Sequence, residues 1–129
     1  MRMSDIFAFP SICETGGAVV AEAMAGGMAC VVVDYGGPGT LIGEDRGMKI
    51  PMGDLSHLVK RFKEELEHLV LNPKHVELLG SAAHDHAMKY YSWDAKAKKV
   101  IEIYEWITGR RKTKPYFWDQ PTEICAAGT

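Results

Sequence analysis

Cysteine is scarce in this chain. There are three among 129 residues, Cys13, Cys30 and Cys125, and no two of them form a C-x-x-C pair. That excludes a disulfide-stapled scaffold and a cysteine-built zinc site, and it is the pattern of a reducing compartment. The histidines supply no ligand set either. His84 and His86 are two apart on a predicted helix, His68 and His75 lie across Asn72-Pro73, and His57 has no acidic or cysteine partner at ligand spacing. No metal is expected. Long apolar runs are missing: Glu22 and Asp34 interrupt the longest stretches, well short of the ~20 residues that a membrane helix needs. The net charge of -2 shows no excess of basic residues, so nucleic acid is not an expected partner. The opening residues place Asp5 and then Pro10 where a signal peptide needs an unbroken apolar core, so the expected location is cytoplasmic. No internal repeat, low-complexity segment or local hydrolase signature is present. With 47% hydrophobic and 25% charged residues, what remains is an ordinary globular chain of one-domain length.

What the chain does have is concentrated between Asp5 and Asp34, DIFAFPSICETGGAVVAEAMAGGMACVVVD. Ile6–Phe9 is a short apolar run of β-formers, stopped by Pro10. Ala18–Ala25 consists of good helix formers, with Gly26-Gly27 as the stop. Cys30–Val33 is apolar throughout, as strands covered on both faces are. Strand, helix and strand within some thirty residues make a βαβ unit with a right-handed crossover. Ligands of such units bind outside the carboxyl ends of the strands, an edge that here carries Ser11, Cys13, Glu14, Thr15, Gly16 and Gly17.

The residue types at that edge suggest a chemistry. Gly16 and Gly17 let a ligand approach the main chain, and the first amides of the following helix, unpaired and at its positive end, suit a phosphate. Glu14 and Glu22 flank this anion site. A carboxylate repels phosphate but accepts hydrogen bonds from sugar hydroxyls, as an acidic residue holds the ribose in dinucleotide folds. Phosphate in the middle with hydroxyls on both sides describes a nucleotide sugar.

Glu14 and Glu22 have seven residues between them, and this spacing resembles the E-x7-E motif of retaining glycosyltransferases of the GT-B fold, notably glycosyltransferase family 4. The flanks strengthen the resemblance: FAFPS before the motif, EAMAGG closing it, VVVDYGGP after it and YSWDAKAKKVIEIYEWI downstream, in the family's order over Ser4–Thr108. The resemblance implies an α/β fold, a partial Rossmann-like GT-B C-terminal half-domain with a short parallel sheet and C-terminal helices. It implies that Glu14 is the catalytic residue, in contact with the transferred sugar, and that Glu22 contacts the nucleotide ribose. The backbone of Thr15, Gly16, Gly17 and Ala18 would meet the donor's phosphates, with Gly36 and Gly37 framing sugar and phosphates. The substrate implied is a UDP-, GDP- or ADP-sugar, with no further cofactor. Two departures stand out. Thr15-Gly16-Gly17 replaces a Gly-Phe-Gly that the family often has, and Thr40 stands where the family often has a glutamate after GGP. Matched to the family, the chain begins in mid-domain, without the half that carries the phosphate-neutralising arginine and lysine and without the N-terminal acceptor domain. The expected partners are therefore that missing half or a second copy of the chain. The competing reading is a non-catalytic remnant or a subunit that works only beside a partner.

Further along, Tyr35–Thr40 reads as a loop at the same edge, leading into a short helix at Leu41-Ile42, and Met48–Ile50 as a brief strand. Asp54 is a good N-cap for a helix whose Leu55, Leu58, Val59, Phe62, Leu66, Leu69 and Val70 form one apolar stripe. Asn72-Pro73 starts a second helix striped by Val76, Leu79, Ala83, Ala87 and Tyr90. Ser92 caps a third, in which Trp93, Ala97, Val100, Ile101 and Tyr104 face one way and Gly109 makes the stop. The expected division is a donor-binding domain over 1–109 and a basic, aromatic tail over 110–129. In that tail Arg110, Arg111, Lys112 and Lys114 complement the helix end, with peripheral contact to an anionic membrane surface as an alternative.

Overall fold

The computed structural model describes residues 4–116. Phe117, Trp118, Cys125 and the terminal AAGT, which the sequence reading assigned to the tail, lie outside the described residues. The order of elements is β1 (Ile6–Phe9), α1 (Ala18–Ala25), β2 (Ala29–Val33), α2 (Gly36–Leu41), β3 (Gly47–Ile50), α3 (Leu55–Leu71), α4 (Pro73–Tyr90) and α5 (Trp93–Ile107). The chain divides into two compact units between Met88 and Lys89.

In the first unit, β1, β2 and β3 form a parallel sheet in that order. Ile6 stands opposite Ala29 and Phe9 opposite Val32, while Cys30 pairs with Gly47 and Val33 with Ile50. All five residues of β2 are buried, as a central parallel strand requires. Strand alternation sends Ala29, Val31 and Val33 to one face, where they join Ile50, Leu58, Phe62, Leu69, Val76 and Leu79 in the main core. Helix α1, which buries Val20, Ala23 and Met24, runs in contact with β1 and β2. The α/β class with a short parallel sheet and C-terminal helices is therefore the one found.

Local chemistry sets the boundaries of the helices. Asp54 Oδ1 accepts from the His57 N–H at 2.8 Å, a side-chain N-cap for α3. Pro73 occupies the first position of α4, where its missing N–H costs nothing. Helix α4 reaches the turn between α1 and β2 through Gly80. A methyl group there would collide with the Gly27 carbonyl oxygen.

Two expectations need correction. Gly36–Leu41 is a short helix and not a loop, and Ile42 is extended and buried. The Gly39 N–H bonds to the Tyr35 carbonyl and Thr40 Oγ1 donates to the Gly37 carbonyl at 2.7 Å, so the glycine-rich run closes its own turns. The apolar stripe of α3 is only half used: Leu58, Phe62 and Leu69 are buried while Leu55, Val59 and Val70 are exposed. Leu55 and Val59 line a groove of about 570 Å3 with Ala8, Pro10, Ile12 and Phe62, alongside β1.

The second unit begins at Lys89 and holds α5, where Ser92 Oγ accepts from the Ala95 N–H at 3.2 Å. Gly109, with φ 76°, ends the helix as expected, with its N–H on the Trp106 carbonyl. No residue of α5 is buried, and Trp93, Val100, Ile101, Tyr104 and Ile107 of its apolar face are exposed. Arg111 pairs with Glu102 at 3.3 Å.

Candidate functional site

The strands are parallel, so the segments leaving their carboxyl ends emerge on one edge of the sheet. There the segment from Pro10 to Gly17 follows β1, and Tyr35-Gly36 follows β2. Gly17 takes φ 69°, a left-handed conformation that a side chain would strain, and its carbonyl accepts the Val20 N–H at 2.9 Å to start α1. Because the N-cap is a glycine, no side chain covers the first turn. The N–H groups of Ala18 and Val19 have no partner among the described residues.

Glu14 closes the loop on itself. Its Oε1 accepts from the Gly16 N–H at 3.0 Å and from the Gly17 N–H at 3.0 Å. The amide of Gly17, then that of Gly16, holds the Glu14 carboxyl below its ordinary value of 4.5, with a smaller contribution from Thr15. No lysine or arginine among the described residues pairs with Glu14 or Glu22. Glu22 is exposed on α1. It shares the outer stripe Ala18, Glu22 and Ala25, so it stands one turn beyond the free amides.

The structure brings Gly36 and Gly37 to this loop through the main chain. A methyl group on Gly36 would lie 2.6 Å from the Glu14 carbonyl oxygen, and one on Gly37 would lie 2.5 Å from that of Thr15. Gly17 is buried against Pro38 and Leu41. Glu14, Thr15, Gly16, Gly17, Ala18, Gly36 and Gly37 thus form one contiguous patch, with Glu22 on the helix that leaves it. Sequence reasoning assigned the Gly16 and Gly17 amides to a ligand and missed their bond to Glu14. The signal was there, because a polar side chain two and three residues ahead of free N–H groups can cap them. Pro38 and Leu41 could not be found that way, since only the fold places them under Gly17.

Other candidates on the molecule are weaker. Cys13 is exposed next to Glu14, whereas burial pushes the Cys30 thiol up to about 12 and makes it inert. Among the described residues no three histidine, cysteine, aspartate or glutamate side chains gather as metal ligands, and no helix is long and apolar enough to cross a membrane.

Parallel strands whose glycine-rich carboxyl-edge segments feed a helix N-terminus define a Rossmann-like α/β half-domain, of the class that binds ligands at that edge. The chain belongs to the group 1 glycosyl transferases, whose family model matches residues 1–86. It is 32% identical over 111 residues to a GDP-mannose-dependent alpha-mannosyltransferase of Mycobacterium tuberculosis, covering 85% of this chain and 28% of that protein. It is also 32% identical over 103 residues to a D-inositol 3-phosphate glycosyltransferase of Rhodococcus erythropolis, covering 80% of this chain and 22% of the relative. Among solved structures, sucrose-phosphate synthase from Thermosynechococcus elongatus superposes with a TM-score of 0.64 at 24% identity, over 84% of this chain and 26% of that one, a likeness of fold. The chain spans 28% and 22% of the length of these two curated relatives.

Proposed function

We propose that this chain is the donor-binding part of a glycosyltransferase that takes a sugar from a nucleoside diphosphate and transfers it with retention at the anomeric carbon. The observation that carries the reading is the pair of unpartnered amides, Ala18 and Val19, at the positive end of α1, with Glu14 before them and Glu22 after them. Free amides at a helix N-terminus suit the diphosphate. Glu22 accepts hydrogen bonds from the ribose hydroxyls and Glu14 from a hydroxyl of the transferred sugar. In the reaction the bond from the anomeric carbon to the diphosphate oxygen breaks, its electron pair staying on that oxygen, as the acceptor's oxygen bonds to the carbon and passes its hydroxyl proton to the leaving diphosphate. Glu14, kept ionised by its amides, is no proton source for this step. Catalysis rests on donor placement and on electrostatic stabilisation of the leaving diphosphate. Because the chain spans about a quarter of each relative, turnover requires polypeptide beyond it, which also supplies the acceptor's binding surface.

The test is calorimetry of UDP-, GDP- and ADP-sugars with this chain joined to the remainder of such an enzyme, starting with GDP-mannose, which one relative's name specifies. Hydrogen bonds to a carboxylate are worth about 1.5–3 kcal/mol, so Glu22→Ala weakens nucleotide binding about ten- to a hundred-fold. Nucleotide binding unchanged by Glu22→Ala defeats the ribose assignment, and an inverted product in proton NMR defeats retention.

A further inference from the structure

The peptide unit is rigid and planar, with its C=O and N–H on opposite sides. Along the β1–α1 loop this geometry joins two contacts that otherwise look separate. The Gly17 N–H, which bonds Glu14 Oε1, belongs to the same peptide plane as the Gly16 C=O. The Gly16 N–H, bonded to the same oxygen, shares its plane with the Thr15 C=O. Those two carbonyls face Gly37: a methyl group there would stand 2.5 Å from the Thr15 oxygen and 2.6 Å from the Gly16 carbonyl carbon and oxygen. Gly36 faces the next carbonyl back, that of Glu14, at 2.6 Å from a built methyl group, and has φ 55°. All these neighbours are backbone atoms, which cannot swing aside as a side-chain end can.

We propose that Gly37, supported by Gly36, is a positioning residue that backs the Thr15 and Gly16 carbonyls and thereby aims the Gly16 and Gly17 N–H groups at the Glu14 carboxylate. Two peptide planes transmit the contact across the loop. With both N–H groups on Oε1, the carboxylate has a fixed direction before any ligand arrives. The use of that direction, presenting an acceptor to a donor sugar, rests on the proposed function, whereas the coupling itself belongs to the ligand-free chain. It also gives the glycine pair after β2 a purpose apart from touching the donor. Substitution there acts on Glu14 through the backbone.

The experiment follows the 13C signal of the Glu14 carboxyl against pH, with hydrogen exchange at the Gly16 and Gly17 amides, in the 129-residue chain without ligand. The wild type titrates below the ordinary 4.5. In Gly37→Ala the midpoint moves up towards that ordinary value and protection of the two amides falls about tenfold, the scale of one lost hydrogen bond. Gly43→Ala, whose methyl group first meets the movable Arg46 guanidinium, keeps the wild-type titration. If Gly37→Ala fails to fold, which the β2 amides report, Gly36→Asn decides, because asparagine tolerates a positive φ yet still meets the Glu14 carbonyl. If that variant fails too, wild-type exchange decides. Coupling requires Gly16 and Gly17 to open together with Gly39 of α2, and independent opening overturns it. A folded Gly37→Ala in which Glu14 titrates as in the wild type also overturns it. Adding the nucleotide sugars to this chain joined to the remainder of such an enzyme separates the two readings: absence of binding there defeats the donor assignment and leaves the coupling standing.

Discussion

A carboxylate that accepts two backbone N–H bonds holds them less strongly once it takes up a proton. Glu14 is such a group, and its pKa in the folded chain lies below the ordinary 4.5 that the unfolded chain restores. A depressed carboxyl pKa contributes stability that is fully present above the unfolded value and is lost as pH falls through the folded one. The expected outcome is a fall in stability on the acid side of 4.5 to which Glu14 contributes. Glu14→Gln retains the shape and removes the titration, so its unfolding midpoint is flatter than the wild type's between about pH 5 and about pH 2. Denaturant melts across that range measure it, and equal slopes in both proteins would show that the amides do not hold the charge. The pairing was within reach of sequence reasoning, because it depends on residues two and three apart. The assignment of every loop amide to a ligand overlooked a nearer acceptor.

Elements were legible where a local rule had no competitor. Ile6–Phe9 and Ala18–Ala25 have the bounds that the sequence predicts, since Pro10, Gly17 and Gly26 each leave the backbone one way to go. The run after Asp34 reads as a loop from its glycines, whereas Gly36–Leu41 is helical and Gly37 lies close against the Thr15 and Gly16 backbone, a contact that only the fold supplies. Gly80 teaches the same lesson from within α4. Helix propensity alone favours Gly80→Ala by about 1 kcal/mol. The Gly27 carbonyl occupies the space that the methyl group needs, and overpacking against backbone costs about 1–3 kcal/mol. Gly80→Ala is therefore expected to lower the urea midpoint, and a raised midpoint would mean that α4 can shift away from the α1–β2 turn at little cost.

At the scale of the whole molecule, the three-stranded sheet has open edges among the described residues. Strand β1 is an edge in a parallel sheet, and the groove beside it is lined by Ile12, Leu55, Val59 and Phe62. In the second unit α5 presents Trp93, Ile101 and Tyr104 to solvent. Unpaired strand edges and apolar faces of this kind are liabilities for association. The chain on its own is expected to self-associate, or to need the polypeptide that its longer relatives contain, and to turn over no nucleotide sugar. Light scattering with a donor-hydrolysis assay tests both parts. A compact monomer that hydrolyses the donor unaided removes the expectation.

The sequence by itself determined the order of the three strands and of α1, α3, α4 and α5, the caps at Asp54, Ser92 and Gly109 and the fully buried β2, because each rests on neighbours in the chain or on apolar periodicity. Through its E-x7-E motif and the flanking segments it carried the resemblance to the family. It also marked Glu14, Glu22 and the glycines as one candidate site. Only the tertiary structure decided that Gly36 and Gly37 lie against the Glu14 loop, that Pro38 and Leu41 cover Gly17, and which half of the α3 stripe is buried. Periodicity says that a face is apolar. Whether anything covers that face depends on which elements the fold brings to it.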